Sequence, residues 1–147
     1  MKRFEPALDE HKPSCVLVVG DVNSTLACAL VASKRHIPVV HVESGLRSND
    51  RRMPEEINRM VTDSITDHFF TTSEIANSNL RKAGVPEEKI HFVGNTMIDT
   101  LLKNKSKFKK PALYDEFSLK PKEYFMLTLH RPANVDGEAQ LRDLLKE

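Results

Sequence analysis

Four short apolar runs divide the chain, and a polar side chain suited to acid–base chemistry or hydrogen bonding follows each of them. The runs are CVLVVG, IPVVHV, IHFVG and YFMLTL, and the residues after them are Asp21, Glu43, Asn95 and His130. In a parallel α/β sheet the carboxyl ends of the strands open onto one crevice, where ligands bind. We therefore expect these side chains to converge on one site, together with Glu55 in the charged stretch beyond Glu43.

The alternation of strand and helix patterns predicts the fold class. Val16–Val19 and Ile37–Val42 are continuous and β-branched, as strands that are buried on both faces should be. Two further strands are predicted at His68–Thr71 and Lys89–Val93. The intervening segments show helical spacing, with faces formed by Leu26, Leu30 and Val31, by Ile57, Met60, Val61 and Ile65, and by Ile75, Ala76, Asn79, Leu80 and Ala83. The pattern predicts a doubly wound parallel sheet, a Rossmann-like α/β domain, over residues 1–103.

The rest of the chain has a different character. Residues 104–122 are rich in lysine and contain Pro111 and Pro121, which predicts a linker. One strand at Tyr124–Leu129 and one helix at Glu138–Lys146 follow. Two elements cannot bury a core of their own. We therefore expect residues 123–147 to be the first strand and helix of a truncated second Rossmann-like domain.

Composition and motifs exclude several classes of function. A formal net charge of +1 gives no indication of a nucleic-acid partner, and no apolar run is long enough to cross a membrane. The polar start MKRFEPALDEHKPS does not resemble a signal peptide, so we expect a cytoplasmic protein. The sequence contains neither GxGxxG nor GxxxxGK[ST], and it lacks HExxH. The His41-Val-Glu43 tripeptide lacks the PCxxC that a zinc deaminase requires, and we predict no metal site.

Each candidate residue also has a simpler structural explanation. Asp21 could cap the helix that follows the first strand, and Glu55 could stabilise a first helical turn while pairing with Arg59. His41, inside an apolar strand, is more often a core residue than a catalyst. Arg47 could lie in a solvated loop or could bind phosphate oxygens through bidentate contacts. Only the combination of these residues favours a functional site.

The combination resembles a known family. The string HVESGLRSNDRRMPEEINR, preceded by GDVNST and followed by FVGNTMID and TLHRPANVDG, closely resembles the non-hydrolysing UDP-N-acetylglucosamine 2-epimerases. The resemblance implies a GT-B architecture, in which two Rossmann-like domains hold a nucleotide-sugar in the cleft between them. It also implies inversion at C2 of the sugar, by elimination of UDP to a glycal and re-addition of UDP, with no added cofactor or metal.

The resemblance assigns roles to several residues of this chain. Asp21, Glu43 and Glu55 match the catalytic carboxylates of the family, and His130 matches its functional histidine near the diphosphate. A base must remove the C2 proton and an acid must return one to the opposite face, so more than one carboxylate is expected. Positive charge and hydrogen-bond donors are needed where UDP departs.

Three further residues are expected to bind substrate. Arg131 is a candidate phosphate contact, Arg47 is expected to steady Glu43 or the ligand, and Asn95 lies at a strand end. The sequence departs from the family pattern at DVNST, where many members have a threonine-rich run, and at HRPAN, where many have HRREN. The matched aspartate and histidine are retained in both segments.

Two alternatives to the epimerase remain open from the residues alone. A GT-B glycosyltransferase would share the cleft but transfer the sugar to an acceptor, and a non-catalytic sugar-nucleotide-binding or interaction module would use the acidic residues as helix caps. We expect a UDP-sugar as the partner and a homodimer in the full-length parent. We also expect the chain to be an interior fragment that is inactive on its own, because family segments would lie before its first residue and after its last.

Overall fold

The computed structural model describes residues 1–129 and 131–146, apart from the side chains of residues 132 and 133. The strands are β1 (Val16–Val19), β2 (Val39–Val42), β3 (His68–Thr71) and β4 (Ile90–Phe92). The helices are α1 (Glu5–His11), α2 (Asn23–Lys34), α3 (Pro54–Ser64), α4 (Glu74–Lys82), α5 (Thr96–Asn104), α6 (Leu113–Glu116), α7 (Pro132–Val135) and α8 (Glu138–Leu144). The chain forms two compact units, and the second begins at Ser106.

The first unit is built on a four-stranded sheet whose strands are all parallel and lie in the order β1-β2-β3-β4. Val16 pairs with Val39, Val40 with His68, and Phe69 with Ile90. The predicted parallel α/β sheet is confirmed, with β2 beginning two residues later than expected. Pro38, just before β2, has no N–H to donate, but its carbonyl accepts a hydrogen bond from the Val16 N–H.

The core lies on one face of this sheet. Residues of α1, α2, β1 and β2 form it, and they are Leu8, Val16, Val18, Ala29, Val31, Ala32 and Val39. On the opposite face Leu17 is 57% exposed and Val19 is 54% exposed. The prediction that β1 is buried on both faces is therefore wrong for the described residues. Helices α2 and α3 lie on one face of the sheet. The described residues form no second helical layer against Leu17 and Val19 on the other face.

Helix α3 buries several polar side chains, and the predicted apolar face is covered only in part, since Ile65 packs against the core. Met60 and Val61 are exposed, whereas polar side chains of the same helix are buried. The buried polar residues of α3 are Glu56, Asn58, Thr62 and Asp63. In α4, Ile75 was predicted on the same face as Leu80, but it is 73% exposed while Leu80 is fully buried. Periodicity located both helices, and it did not identify which side of α3 faces the protein.

The second unit contains helices but none of the predicted strand. Residues 124–129 form no strand, and Phe125 in their middle is fully exposed. An isolated strand has no neighbour to complete its backbone hydrogen bonds, which explains why an apolar pattern alone does not produce one here. The predicted helix is confirmed as α8. No helix of the described residues is both long and apolar enough to cross a membrane.

Gly45 and Gly84 have similar backbone conformations but different surroundings, so substituting each of them tests the packing of the first unit. Both have left-handed backbone, with φ of +78° and +85°. A Cβ on Gly45 would lie 2.6 Å from the carbonyl oxygen of Ala76 in α4, while a Cβ on Gly84 would meet no heavy atom within 4 Å. We predict that Gly84→Ala costs about 1–2 kcal/mol of unfolding free energy through backbone strain alone.

Gly45→Ala should cost at least about 3 kcal/mol, because it adds a clash with rigid helix backbone to the same strain. Urea denaturation of the two variants and the wild-type chain measures the difference. Equal losses in the two variants would contradict the close approach of α4 to the loop after β2.

Candidate active site

The carboxyl ends of β1 and β2 bring Asp21 and Glu43 to the same edge of the sheet. Gly20 makes this possible, because its left-handed backbone (φ +69°) turns the chain immediately after β1. Its N–H donates to the carbonyl of Val42 at 3.0 Å. A Cβ on Gly20 would lie 3.7 Å from Oε2 of Glu43, so the Glu43 carboxylate lies directly beside the turn that presents Asp21.

Glu43 has an uncommon backbone conformation. Its φ is +69°, in the left-handed region that a residue with a Cβ adopts at a cost of order 1 kcal/mol. The Glu43 N–H donates to the carbonyl of Phe70 in β3 at 2.9 Å, and the Ser44 N–H reaches the same oxygen at 3.2 Å. The ladder of β2 therefore continues through Glu43 while its side chain is directed out of the strand. Such strained residues are concentrated at functional sites.

Helix α3 holds the Asp21 turn through Arg59 and Asn58. Nε and Nη2 of Arg59 donate to Oδ2 of Asp21 at 2.9 and 2.6 Å. Nδ2 of Asn58 donates to the backbone carbonyl of Asp21 at 2.8 Å. Burial on its own would lower the pKa of Arg59, but its bonds to Asp21 and Glu56 outweigh that effect and raise the pKa above its usual value. The expected pair of Arg59 with Glu55 is replaced by pairs with Asp21 and Glu56.

Glu56 stabilises the loop between β2 and α3 by accepting hydrogen bonds from it. It is 2% exposed and accepts four hydrogen bonds, from the Ser48 N–H, the Ser48 hydroxyl, the Asn49 N–H and Nη1 of Arg59. Burial favours the neutral acid, but these donors favour the carboxylate more strongly, and the pKa of Glu56 is lowered below its usual value. Both Glu55 and Glu56 were expected in the first helical turn, but only Glu55 was predicted as a site residue. A glutamate at the third helical position commonly reaches back to N–H groups before the helix, which was the available signal.

Asp63 forms a second group of polar and charged side chains with His41 and Arg47. Its Oδ1 lies 2.8 Å from Nδ1 of His41, and its Oδ2 lies 2.7 Å from Nη1 of Arg47. The Gly45 N–H also donates to Oδ2, at 3.2 Å. Arg47 was expected to steady Glu43 or a ligand, and in this structure it pairs with Asp63, with 15% of its side chain exposed. The structure makes His41 a buried polar residue with partners at both ring nitrogens.

Of the remaining predicted site residues, Glu55 and Asn95 belong to the first unit and Arg131 to the second. Glu55 is exposed in the first turn of α3, beside buried Glu56. Asn95 is exposed, and its Oδ1 caps α5 by accepting the Met97 N–H at 2.9 Å. Arg131 is exposed in the second unit, and His130 lies outside the described residues. The structure thus brings Asp21 and Glu43 together, and it accounts for Asn95 as a helix cap.

The arrangement is suited to proton transfer at a bound ligand. Asp21 and Glu43 lie at adjacent strand ends, where a ligand of a parallel α/β sheet binds. Arg59 adds a cation at this edge, with 16% of its side chain exposed. Within residues 1–129 and 131–146, no three His, Cys, Asp or Glu side chains are grouped so that they could hold a metal ion.

Fold and site together define an α/β protein with a cluster of carboxylates at the carboxyl edge of a parallel sheet. Comparison with known proteins then places it more narrowly. A family model described as UDP-N-acetylglucosamine 2-epimerase matches residues 1–147, and the chain belongs to this family.

Curated relatives agree with this placement. The chain is 46% identical, over 147 residues, to the UDP-N-acetylglucosamine 2-epimerase of Methanocaldococcus jannaschii, covering 97% of the chain and 40% of that protein. It is 40% identical to the UDP-2,3-diacetamido-2,3-dideoxy-D-glucuronate 2-epimerase of Pseudomonas aeruginosa, covering 99% of the chain and 41% of that protein. The chain therefore spans about two fifths of the length of these relatives.

Solved structures show the same relation. The Methanocaldococcus jannaschii UDP-GlcNAc 2-epimerase in complex with UDP-GlcNAc and UDP matches with a TM-score of 0.84 and 48% identity, over 98% of this chain and 40% of that one. The UDP-N-acetylglucosamine 2-epimerase from Rickettsia bellii matches with a TM-score of 0.85 and 36% identity, over 99% of this chain and 38% of that one. These neighbours have the GT-B-type architecture that the resemblance implied.

Glu55 and Glu56 provide a test of which glutamate supports the loop. We predict that Glu56→Gln lowers the free energy of unfolding near pH 7 by about 2–4 kcal/mol, because it removes the charge on which four donors converge. The matched change Glu55→Gln, at the exposed neighbour, should stay within about 0.5 kcal/mol.

The effect of Glu56 should also depend on pH. Its pKa is lowered by folding, so its contribution is complete above the ordinary carboxyl value of 4.5 and is lost as the pH falls through the folded value. The difference between wild type and Glu56→Gln should therefore narrow in urea titrations carried out below about pH 4. A difference that is unchanged between neutral and acidic pH would contradict the assigned role of the Glu56 carboxylate.

Proposed function

We propose that this chain carries the catalytic carboxylates of a UDP-N-acetylglucosamine 2-epimerase, which interconverts UDP-GlcNAc and UDP-ManNAc. One observation carries the proposal in particular. Asp21 and Glu43 lie at the ends of adjacent strands. A Cβ built on Gly20, the residue before Asp21, would lie 3.7 Å from Oε2 of Glu43. Because residues 1–147 match the epimerase family model, we assign the reaction of that family to this pair of carboxylates.

The reaction needs the residue types that the site contains. A base removes the proton from C2 while the bond between C1 and the UDP oxygen breaks, which leaves a glycal and free UDP. UDP then adds back at C1, and an acid returns a proton to the opposite face of C2. Carboxylates on more than one side of the sugar serve both steps, since one group cannot reach both faces. Asp21, Glu43 and the exposed Glu55 are the candidates.

Cationic and hydrogen-bonding groups complete the proposed site. Departure of UDP places negative charge on its diphosphate, and nearby donors stabilise that charge. We assign this role to His130 and Arg131, with Arg47 and Asn95 as further candidates for substrate binding. We also propose a UDP-sugar as the ligand, a homodimer for the full-length parent, and a cytoplasmic location.

The test uses a chimera, because the chain spans 40% of its Methanocaldococcus jannaschii relative. Residues 1–147 replace the matching segment of that relative, and the chimera is incubated with UDP-GlcNAc in deuterated water. We expect formation of UDP-ManNAc and incorporation of deuterium at C2 of both recovered sugar nucleotides. The isolated chain, assayed in parallel, is expected to show no turnover.

Variants of the chimera then assign the residues. Asp21→Asn, Glu43→Gln and Glu55→Gln should each lower turnover by about 10²-fold or more. If the carboxylates serve only as caps, each change should instead cost about 1 kcal/mol of stability and leave turnover of the folded protein unchanged. Sugar transfer to an acceptor without C2 deuterium would indicate a glycosyltransferase, and binding without either reaction would indicate a non-catalytic module.

A further inference from the structure

His41 is a buried histidine whose two ring nitrogens both face oxygen acceptors. It is fully buried in β2, with Nδ1 at 2.8 Å from Oδ1 of Asp63 and Nε2 at 2.8 Å from the carbonyl oxygen of Gly20. A neutral imidazole has one N–H and can satisfy only one of these contacts. With an ionised Asp63, both contacts are hydrogen bonds only if the ring carries two protons and a positive charge.

Asp63 supplies the negative charge that such a ring requires. Its side chain is 5% exposed, and its Oδ2 lies 2.7 Å from Nη1 of Arg47 in an ion pair. The Gly45 N–H donates to the same oxygen at 3.2 Å. We take Asp63 as ionised because it forms an ion pair with the Arg47 guanidinium. Its Oδ1 is then an acceptor for His41. One carboxylate thus lies between an imidazolium and a guanidinium in a nearly dry environment, where an unpaired charge would be costly.

These bonds connect the two backbone segments that carry the proposed catalytic carboxylates. His41 reaches the carbonyl of Gly20, the residue directly before Asp21. Through Asp63 it also reaches the N–H of Gly45, two residues beyond Glu43. The path from Gly20 to Gly45 therefore consists of three hydrogen bonds, two at the His41 imidazole and one at the Asp63 carboxylate. The two that involve Asp63 are buried, and the one to Gly20 is part-buried.

We propose that doubly protonated His41, neutralised by Asp63, is a positioning residue that sets the separation of Asp21 and Glu43. It acts through the backbone and does not touch the substrate. The proposal rests on the proposed function for its catalytic consequence, while the protonation of the ring and the geometry it imposes belong to the chain itself. Reactive groups displaced by about 1 Å can lose on the order of 10²-fold in rate, so a positioning role is measurable.

The first experiment measures the ring protons. The 147-residue chain is labelled with ¹⁵N-histidine, and its ring nitrogens are observed by NMR at about pH 7.5, where a free imidazole is mostly neutral. We expect two bonded N–H groups for His41, both protected from exchange, with the exposed His11 and His36 as reference signals. A single N–H on His41, in either tautomer, would overturn the proposal.

The second experiment removes the link. His41→Phe keeps a ring of similar shape and lacks both donors, while His91→Phe is the matched control in β4, on another strand of the same sheet. In the isolated 147-residue chain, we expect His41→Phe to abolish the nuclear Overhauser contact between Gly20 and the Glu43 side chain. We expect His91→Phe to retain that contact. In the chimera, His41→Phe should lower kcat by about tenfold or more with KM changed less than about threefold.

Two outcomes separate this proposal from the proposed function. If the wild-type chimera does not epimerise, the proposed function fails, and the NMR contact in His41→Phe decides the positioning role by itself. If the chimera is active and His41→Phe lowers only thermal stability, with kcat of the folded enzyme and the Gly20–Glu43 contact unchanged, His41 is merely a core residue and the proposal is overturned.

Discussion

Charge pairing between α3 and the two strand-end loops is the interaction on which the rest of the first unit depends. Three acidic side chains take part, and two of them have partners in more than one segment. Asp21 binds Arg59, Glu56 binds Arg59 and the backbone at 48 and 49, and Asp63 binds His41, Arg47 and Gly45. Helix α3 therefore contributes to the placement of both loops, in addition to the contact of α4 with Gly45.

Such a network favours a particular geometry more than it adds stability. A buried ion pair loses hydration that its Coulomb attraction only partly restores, so well-packed apolar residues would often stabilise the helix equally well. Apolar packing, however, tolerates small sliding movements, whereas the donors around Glu56 and Asp63 have fixed directions and short distances. A site that must hold two carboxylates at a set separation benefits from that directionality.

The sequence allowed the sheet to be predicted, because short β-branched runs alternating with helical spacing have few other solutions. It also located Asp21 and Glu43 at strand ends, since that follows from chain order. The face of α3 could not be predicted in the same way. Periodicity counts apolar residues, and here Met60 is exposed while Glu56 is buried. Buried polar contacts depend on which loop lies opposite, and this is a tertiary property.

The left-handed backbone at Glu43 means that its chemistry and its conformation cannot be varied separately. With φ at +69°, the backbone at this position suits glycine, asparagine or aspartate better than glutamate. The longer side chain of Glu43 is therefore present despite an unfavourable backbone conformation. An aspartate would relax the backbone but shorten the reach of the carboxylate, and a β-branched residue would strain the strand end itself. A substitution at this position must therefore meet two independent requirements, one set by the reach of the acid and one by the shape of the turn.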